Sequence, residues 1–298
     1  MKFTPNGDSL IVDCPAKVNL FLEIHGIRPD GYHEIETVMQ AVTLYDRLTL
    51  RPRGQSGISL DCSDPTLPQG AENLAYRAAD LLDGTVGLPS GVSIRLDKQI
   101  PAGAGLGGGS SDAAGVLAGL NRLFGLGLSV EDLCRSASEL GSDIPFFLYG
   151  ATALCRGRGE RVSPVPAAAP IHYVICCPEQ PVPTAEAYRT LDSAGLTNEK
   201  RSASFMLDSL QSGDIERVRN HVFNRFGEVA ERLAPDVGRT KNMLAAHGAR
   251  GACVSGSGSA VFAVFPAAED AATVARRVRQ CGCRQVFVAR SEKTTTET

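Results

Sequence analysis

The sequence has no tryptophan, few aromatic residues and no long run of one charge. Phe, Tyr and Trp together make up 6% of its 298 residues, and the formal net charge is −3. Nucleic-acid binding depends on clustered Lys and Arg side chains that neutralise phosphates. The sequence contains no such cluster, so we expect no nucleic-acid partner.

Long apolar segments and paired cysteines are missing as well. No apolar run approaches the ~20 residues of a membrane-spanning helix, and residues 1–14 include Asp8 and Asp13 but no apolar core of a secretory signal. The nine cysteines never occur with Cys-x-x-Cys spacing, and their number is odd, which disfavours zinc and disulfide frameworks. We therefore expect a cytoplasmic protein without a membrane partner, whose cysteines are buried, reduced thiols.

The length and the order of the predicted elements favour two medium-sized α+β domains. The segment 164–170, with three consecutive alanines between prolines, is the best linker, so we place the domains at 1–165 and 166–298. Hydrophobic periodicity predicts strands and helices throughout. The predicted strands include 10–24, 38–42, 47–50, 91–98, 260–265 and 286–288, and the predicted helices include 72–82, 130–140 and 204–233. The polar tail 292–298 is expected to be disordered, and nothing in the sequence specifies an oligomeric state.

Glycine is concentrated in one segment, where five of the seven residues from Gly103 to Gly109 are glycine. A helix beginning near Ser110 would point its unpaired N–H groups at this segment, which would make an anion site. The segment also fits the dinucleotide fingerprint, but the acid expected ~20 residues later falls in a helix-capping sequence beginning at Ser129. No Lys follows the glycines as in a P-loop. A phosphate-binding loop is the favoured hypothesis, and a simple turn stays open.

Four polar residues elsewhere have both a functional and a structural interpretation. Lys17 lies in an apolar strand, where an unpaired ammonium would be costly to bury, so it marks either a sheet edge or a function. Tyr32 and His33 follow a Pro-Asp-Gly turn and form either a hairpin tip or a site for a planar ligand. Asp143 precedes an apolar run, a position typical of a helix N-cap.

Three separated blocks together resemble the motifs of the GHMP small-molecule kinase family. They are Pro-Ala-Lys-Val-Asn-Leu at 15–20, the glycine segment, and Ser-Gly-Ser-Gly-Ser at 255–259. Two further blocks, 28–34 and 141–147, resemble the members that phosphorylate a cytidine diphosphate conjugate of methylerythritol in the non-mevalonate isoprenoid pathway. The resemblance implies a two-lobed α+β enzyme with an N-terminal nucleotide-binding lobe, a C-terminal ferredoxin-like lobe and an active site between them.

The resemblance also implies roles for individual residues. Asp143 would be the general base that accepts the proton of the attacking 2-hydroxyl, with Lys17 as its electrostatic partner. Asn19, Tyr32, His33, Thr184 and Tyr188 would bind the cytidine substrate. The residues expected to bind ATP are Pro101, Ala102, Gly103, Ala104, Gly105, Leu106, Gly107, Gly108, Gly109, Ser110, Ser111, Asn73 and Lys98. Mg²⁺ should accompany ATP; Ser110 or Ser111 is a candidate ligand, and no second acid is evident.

Three alternatives remain at this stage. A mevalonate- or homoserine-type kinase of the same family would have little use for the Tyr32-His33 pair. A Rossmann oxidoreductase lacks its acid after the second strand. A non-catalytic RNA-binding module is disfavoured by the net charge of −3.

Overall fold

Runs of strands and runs of helices follow one another along the chain, which is the pattern of an α+β protein. A computed structural model describes residues 1–195 and 199–293. The strands are β1 Lys2–Asn6, β2 Ser9–Ile27, β3 His33–Arg53, β4 Ile58–Cys62, β5 Gly91–Asp97, β6 Thr152–Gly157, β7 Arg161–Pro164, β8 His172–Cys176, β9 Phe223–Asn224, β10 Cys253–Val254, β11 Val261–Phe265 and β12 Val286–Arg290. The helices are α1 Leu74–Val86, α2 Gly108–Phe124, α3 Val130–Leu140, α4 Ile144–Tyr149, α5 Thr184–Ala194, α6 Ser204–Ser212, α7 Ile215–His221, α8 Gly227–Leu233, α9 Pro235–Ala246 and α10 Ala268–Gln280.

These elements form two compact units, each assembled from separate stretches of chain. Unit 1 contains Met1–Ala16, Leu44–Ile100 and Gly107–Gly150, and unit 2 contains Lys17–Thr43, Pro101–Leu106 and Ala151–Thr298. The predicted α+β class is confirmed. The predicted domain boundary at residue 165 stays a prediction. Most of the tail expected to be disordered, 294–298, lies outside the described residues.

Unit 1 packs helices on a mixed sheet. The strand order is β1-β2-β3-β5-β4, in which β4 and β5 are parallel and β3 and β5 antiparallel. Helix α2 lies very close to the sheet, because a Cβ on Gly115 would fall 2.3 Å from Cys14 Sγ and 2.9 Å from Leu48 Cδ1. A larger residue at position 115 would push the helix off the strands. Helix α3 begins with a reciprocal capping box between Ser129 and Asp132, as its sequence predicts.

Unit 2 contains the remaining parts of β2 and β3 and a second, separate sheet. There β3 pairs with β6, β6 with β7, and β2 with the short parallel strand β9. The second sheet has the order β10-β11-β8-β12, and all its neighbours are antiparallel. A buried apolar cluster unites this sheet with the adjacent helices and includes Ile24, Val174, Phe226 and Val274.

The prediction of one continuous helix over 204–233 is wrong. Gly213 adopts φ +71° and ends α6, since a left-handed conformation is cheap only for glycine. The side chain of Asp214 then caps α7. After α7 the backbone becomes extended, and Asn224 in β9 pairs with Leu22 of β2. A pairing partner about 200 residues away overrides the helical periodicity.

All nine cysteines lie in the described residues and are free thiols. The expectation of burial holds for Cys14, Cys62, Cys155, Cys176 and Cys177. It is wrong for Cys281, which is exposed. Within residues 1–195 and 199–293, no helix combines the length and hydrophobicity needed to cross a membrane.

Candidate active site

Lys17 is almost completely buried in the part of β2 that belongs to unit 2. Its side chain is 3% exposed, and its Nζ donates a hydrogen bond of 2.6 Å to Asn19 Oδ1. Its backbone N–H donates to the carbonyl of Leu106 at 2.9 Å. Successive odd-numbered residues of a strand share one face, which is why Lys17 and Asn19 meet. The strand therefore brings a buried ammonium beside the glycine segment.

Asn19 uses both ends of its amide inside the protein. Its Oδ1 also accepts from the backbone N–H of Gly256 at 2.9 Å, and its Nδ2 donates to Thr37 Oγ1 at 2.8 Å. Thr37 in turn donates to the carbonyl of Phe21 at 2.7 Å. This chain of hydrogen bonds fixes the orientation of the Asn19 amide, and through it the position of the Lys17 ammonium. Thr37 belongs to no sequence motif. Its contact with Asn19 follows only from the pairing of β2 with β3.

The glycine segment and the Ser-Gly-Ser-Gly-Ser block touch each other within unit 2. Ser255 Oγ donates to the carbonyl of Gly105 at 2.9 Å. A Cβ on Gly105 would fall 2.1 Å from Ser255 O, and a Cβ on Gly256 would fall 3.4 Å from Lys17 Nζ. Only glycine permits this approach of two backbones. The structure thus brings the three sequence blocks together.

The end of the glycine segment forms the N-terminus of α2 in unit 1. Gly107 has φ +72°, no side chain caps the helix, and its first turn carries no acidic residue. The first backbone N–H groups of α2 are consequently available to an anion at the N-terminus of the helix. Ser110 is half-buried. Ser111 Oγ is fully buried and makes no hydrogen bond with any residue that the structure describes.

The other predicted residues of the glycine segment differ in exposure. Ala102, Gly103 and Gly109 are exposed, and Pro101, Gly105, Gly107 and Gly108 are half-buried. Ala104 and Leu106 are buried and anchor the segment by hydrogen bonds from Ala260 N to Ala104 O at 3.0 Å and from Lys17 N to Leu106 O. The segment therefore alternates anchored residues with accessible glycines.

Asp143 precedes α4 in unit 1 and occupies its N-cap position. Its φ and ψ of −84° and −12° are helical, and its side chain makes no capping hydrogen bond. The alternative that its carboxylate serves as a helix cap is therefore wrong. Helices α2 and α4 pack against each other, and a Cβ on Gly141 would lie 3.9 Å from Ser110 Oγ. Within unit 1, the turn that carries Asp143 thus lies next to the first turn of α2.

Asn73 and Lys98, the two other residues expected to bind ATP, both have structural partners in unit 1. Asn73 caps α1 by accepting from Ala75 N at 3.0 Å. Lys98 Nζ donates to Asp46 and, at 2.8 Å, to Asp112 Oδ2. Burial raises the pKa of Asp112 to about 8, while Lys98 acts in the opposite direction and the neighbouring Asp46 adds to the rise. Contact with ATP stays a prediction for both residues.

His33 and Tyr188 form an aromatic pair in unit 2. Their ring centroids are 4.4 Å apart with an interplanar angle of 26°, and Tyr188 also makes a T-shaped contact with Phe226. His33 Nε2 lies 2.8 Å from Asp192 Oδ1. Asp192 stands one helical turn after Tyr188 on α5, so the i,i+4 spacing could have identified it from the sequence.

Tyr32 and Thr184 lie in unit 2 with different neighbours. The Tyr32 ring is 54% exposed, and the guanidinium of Arg158 lies 4.6 Å from its centroid. Thr184 Oγ1 lies 3.0 Å from Ser257 Oγ and shares a hydrogen bond with it. The residue thus joins the start of α5 to the Ser-Gly-Ser-Gly-Ser block.

Comparison with known proteins identifies the family. The family model described as GHMP kinases N terminal domain matches residues 73–151, and the one described as GHMP kinases C terminal matches residues 206–282. A 4-diphosphocytidyl-2-C-methyl-D-erythritol kinase of Symbiobacterium thermophilum is 44% identical over 280 residues, which cover 94% of this chain and 99% of that protein. The chain belongs to the GHMP kinase family.

Solved structures of GHMP kinases have the same fold. A crystal structure of 4-(cytidine 5'-diphospho)-2C-methyl-D-erythritol kinase is 36% identical, with a TM-score of 0.78, and the match covers 95% of this chain and 99% of that one. A homoserine kinase from Cytophaga hutchinsonii is 22% identical, with a TM-score of 0.75 over 98% of this chain and 97% of its own, and shares the fold. The family and the α+β fold predicted from the three sequence blocks are confirmed.

Proposed function

We propose that this GHMP kinase phosphorylates the 2-hydroxyl of 4-diphosphocytidyl-2-C-methyl-D-erythritol with ATP, a step of the non-mevalonate route to isoprenoid precursors. The observation that carries the proposal is the 44% identity, over 94% of the chain, to a relative of that name. The contacts among Lys17, Gly105 and Gly256 in unit 2 support a phosphotransfer site, since they assemble a buried cation and two glycine turns at one place.

Phosphoryl transfer needs alignment and charge stabilisation more than covalent chemistry. In our assignment, the carboxylate of Asp143 accepts the proton of the substrate hydroxyl. The hydroxyl oxygen bonds to the γ-phosphorus, and ADP leaves. Lys17 balances the developing negative charge. Asn19 and Thr37 support this role of Lys17 indirectly, because they hold its ammonium in one orientation.

The glycine segment is our candidate for the triphosphate site. Backbone N–H groups at an uncapped helix N-terminus favour anions, and α2 has such a terminus. Mg²⁺ bound with ATP takes most of its ligands from phosphates and water, so a site with few protein ligands fits it. Among the described residues no cluster of three or more His, Cys, Asp or Glu side chains could hold a metal. The hydroxyls of Ser110 and Ser111 are the groups that would contact the ion, and its charge would offset that of the phosphates.

Tyr32, His33 and Tyr188 are the candidates for recognition of the cytosine. The half-exposed Tyr32 and the following residue, His33, offer an aromatic ring for stacking and an imidazole for hydrogen bonding. The contact of His33 with Tyr188 supports their assignment to one site, and Asp192 holds the imidazole in place.

A substrate panel tests the proposal. Phosphate transfer from ATP is measured with 4-diphosphocytidyl-2-C-methyl-D-erythritol, mevalonate and homoserine under the same conditions. We expect turnover of the cytidine compound alone. Turnover of mevalonate or homoserine without the cytidine compound would replace our proposal by another GHMP kinase activity.

A further inference from the structure

Three ionisable side chains lie together in the interior of unit 1. Asp46 of β3 is 0% exposed and Asp112 of α2 is 3% exposed, and Lys98 Nζ donates to both. Asp46 Oδ1 also accepts from the backbone N–H groups of Gln99 at 2.6 Å and Ile100 at 2.8 Å. Nothing in the sequence motifs accounts for either aspartate.

The cluster joins the two ends of the glycine segment. Lys98, Gln99 and Ile100 lie three to five residues before Gly103, and Asp112 lies three residues after Gly109 in α2. The fit is close at the far end as well, since a Cβ on Gly108 would fall 3.2 Å from Lys98 Nζ and 3.1 Å from Ile100 Cγ2. Lys98 therefore links the residues before the glycine segment, which Asp46 contacts, to the residues after it, which include Asp112.

Burying this cluster costs free energy of folding. Burying three ionisable groups removes each from water, and direct hydrogen bonds recover only part of that cost. Burial together with the neighbouring Asp46 raises the pKa of Asp112 to about 8, so Asp112 is mostly protonated at neutral pH and accepts from Lys98 as a neutral carboxyl. The titratable groups that surround it are Asp46 and Lys98, the buried thiols Cys14 and Cys62, and Asp64 near Lys98.

We propose that Asp46 and Asp112, acting through Lys98, are positioning residues that hold the two ends of the glycine segment in the conformation that receives the triphosphate. This inference rests on the proposed function, because it assigns ATP to that segment. In this arrangement Lys98 acts through its hydrogen bonds to the two aspartates, and its side chain is only 7% exposed.

Asp46→Asn is the first test, because an amide keeps the shape but loses the charge that Lys98 and two backbone N–H groups contact. We expect the KM for ATP to rise by about 10–100-fold, the ratio that corresponds to one hydrogen bond to a charged group. The KM for the cytidine substrate should change less than about twofold, since none of the residues that we assign to that substrate belongs to the cluster. The control is Asp61→Asn, which breaks the exposed pair with Arg95 in the same unit and should leave both values unchanged.

Asp112 allows a rescue comparison. Asp112→Ala removes one of the two carboxyl acceptors of Lys98 and should raise the KM for ATP as Asp46→Asn does. Asp112→Asn keeps an oxygen at that place and should restore most of the ATP affinity. Equal effects of the two substitutions on the KM for ATP would overturn the role of Asp112.

Calorimetric titration with ADP, without the second substrate, separates this inference from the proposed function. If the wild-type protein binds no ADP, the assignment of ATP to this chain fails. If the wild type binds ADP and Asp46→Asn binds it equally well, the positioning role of Asp46 is refuted while the kinase proposal stands. Hydrogen exchange of the wild-type protein decides the matter if Asp46→Asn does not fold. The amides of Gln99 and Ile100 should then be strongly protected without nucleotide, and rapid exchange there would contradict the proposal.

Discussion

Replacing Gly105 by alanine tests whether the contact between the two glycine-containing blocks is essential. Gly105 has φ +79°, and a Cβ there would fall 2.1 Å from Ser255 O and 3.1 Å from Gly258 O. Neither atom belongs to a flexible side chain, so the backbone of one block must move by more than 1 Å to reach ordinary contact distance. Gly103 is a matched control, because its φ is +68° and its nearest neighbour would be Pro181 Cβ at 3.9 Å.

The two substitutions share one cost and differ in the other. An alanine at positive φ costs about 1–2 kcal/mol at either position. Overpacking adds about 1–3 kcal/mol at position 105 alone, so Gly105→Ala should be about 2–5 kcal/mol less stable than the wild type. A displacement of ~1 Å near reacting groups can cost about 10²-fold in rate, and we expect a loss of that order in kcat/KM for Gly105→Ala.

Urea unfolding and steady-state kinetics measure both effects. Gly103→Ala should lose about 1–2 kcal/mol of unfolding free energy and keep most of its activity. A direct contact between nucleotide and the new Cβ would raise the KM for ATP at unchanged kcat. Equal stability and equal kcat for the two variants would refute the close approach of Gly105 to Ser255.

Three further predictions concern the reaction and its pH dependence. Asp143→Asn should lower kcat by about 10²–10⁴-fold with little change in either KM, measured by coupled ADP release; a changed KM at unchanged kcat would exclude it as the base. His33→Ala should raise the KM for the cytidine substrate and leave that for ATP nearly constant, and an equal rise of both would make His33 structural. The pKa of Asp112 is raised from an ordinary carboxyl value to about 8, so its contribution to stability is complete below about pH 4 and is lost as the pH rises towards 8. Unfolding midpoints between pH 5 and 8 should therefore decline less for Asp112→Asn than for the wild type, and parallel curves would assign the proton to another group.

Local signals in the sequence predicted the elements that depend on neighbouring residues. The capping box at Ser129 and the glycine at position 141 set the limits of α3, and both lie where the sequence indicates. The density of glycines before an apolar helix favours a phosphate-binding loop at the glycine segment, and this role stays a prediction. The family followed from three blocks whose order and spacing are specific.

Long-range pairing explains what local patterns missed. Asp46 interrupts the apolar pattern of β3, so the sequence predicts two short strands where the structure has one strand of 21 residues. Its carboxylate is buried because Lys98, 52 residues later, provides the compensating charge. Thr37 likewise gains its role only when β3 pairs beside Asn19. Neither partner could be read from sequence spacing, because the register between distant strands decides which side chains meet.

The interleaved course of the chain has a consequence for biosynthesis. Leu22, Ile24 and Ile35 belong to the same apolar cluster as Val286, which is made last among them. At about 5–20 residues per second, the roughly 250 residues between positions 35 and 286 take on the order of 10–50 seconds to translate. During that interval the early strands lack many of the side chains that will cover them. We therefore expect this apolar surface to stay incompletely covered until β12 has been made.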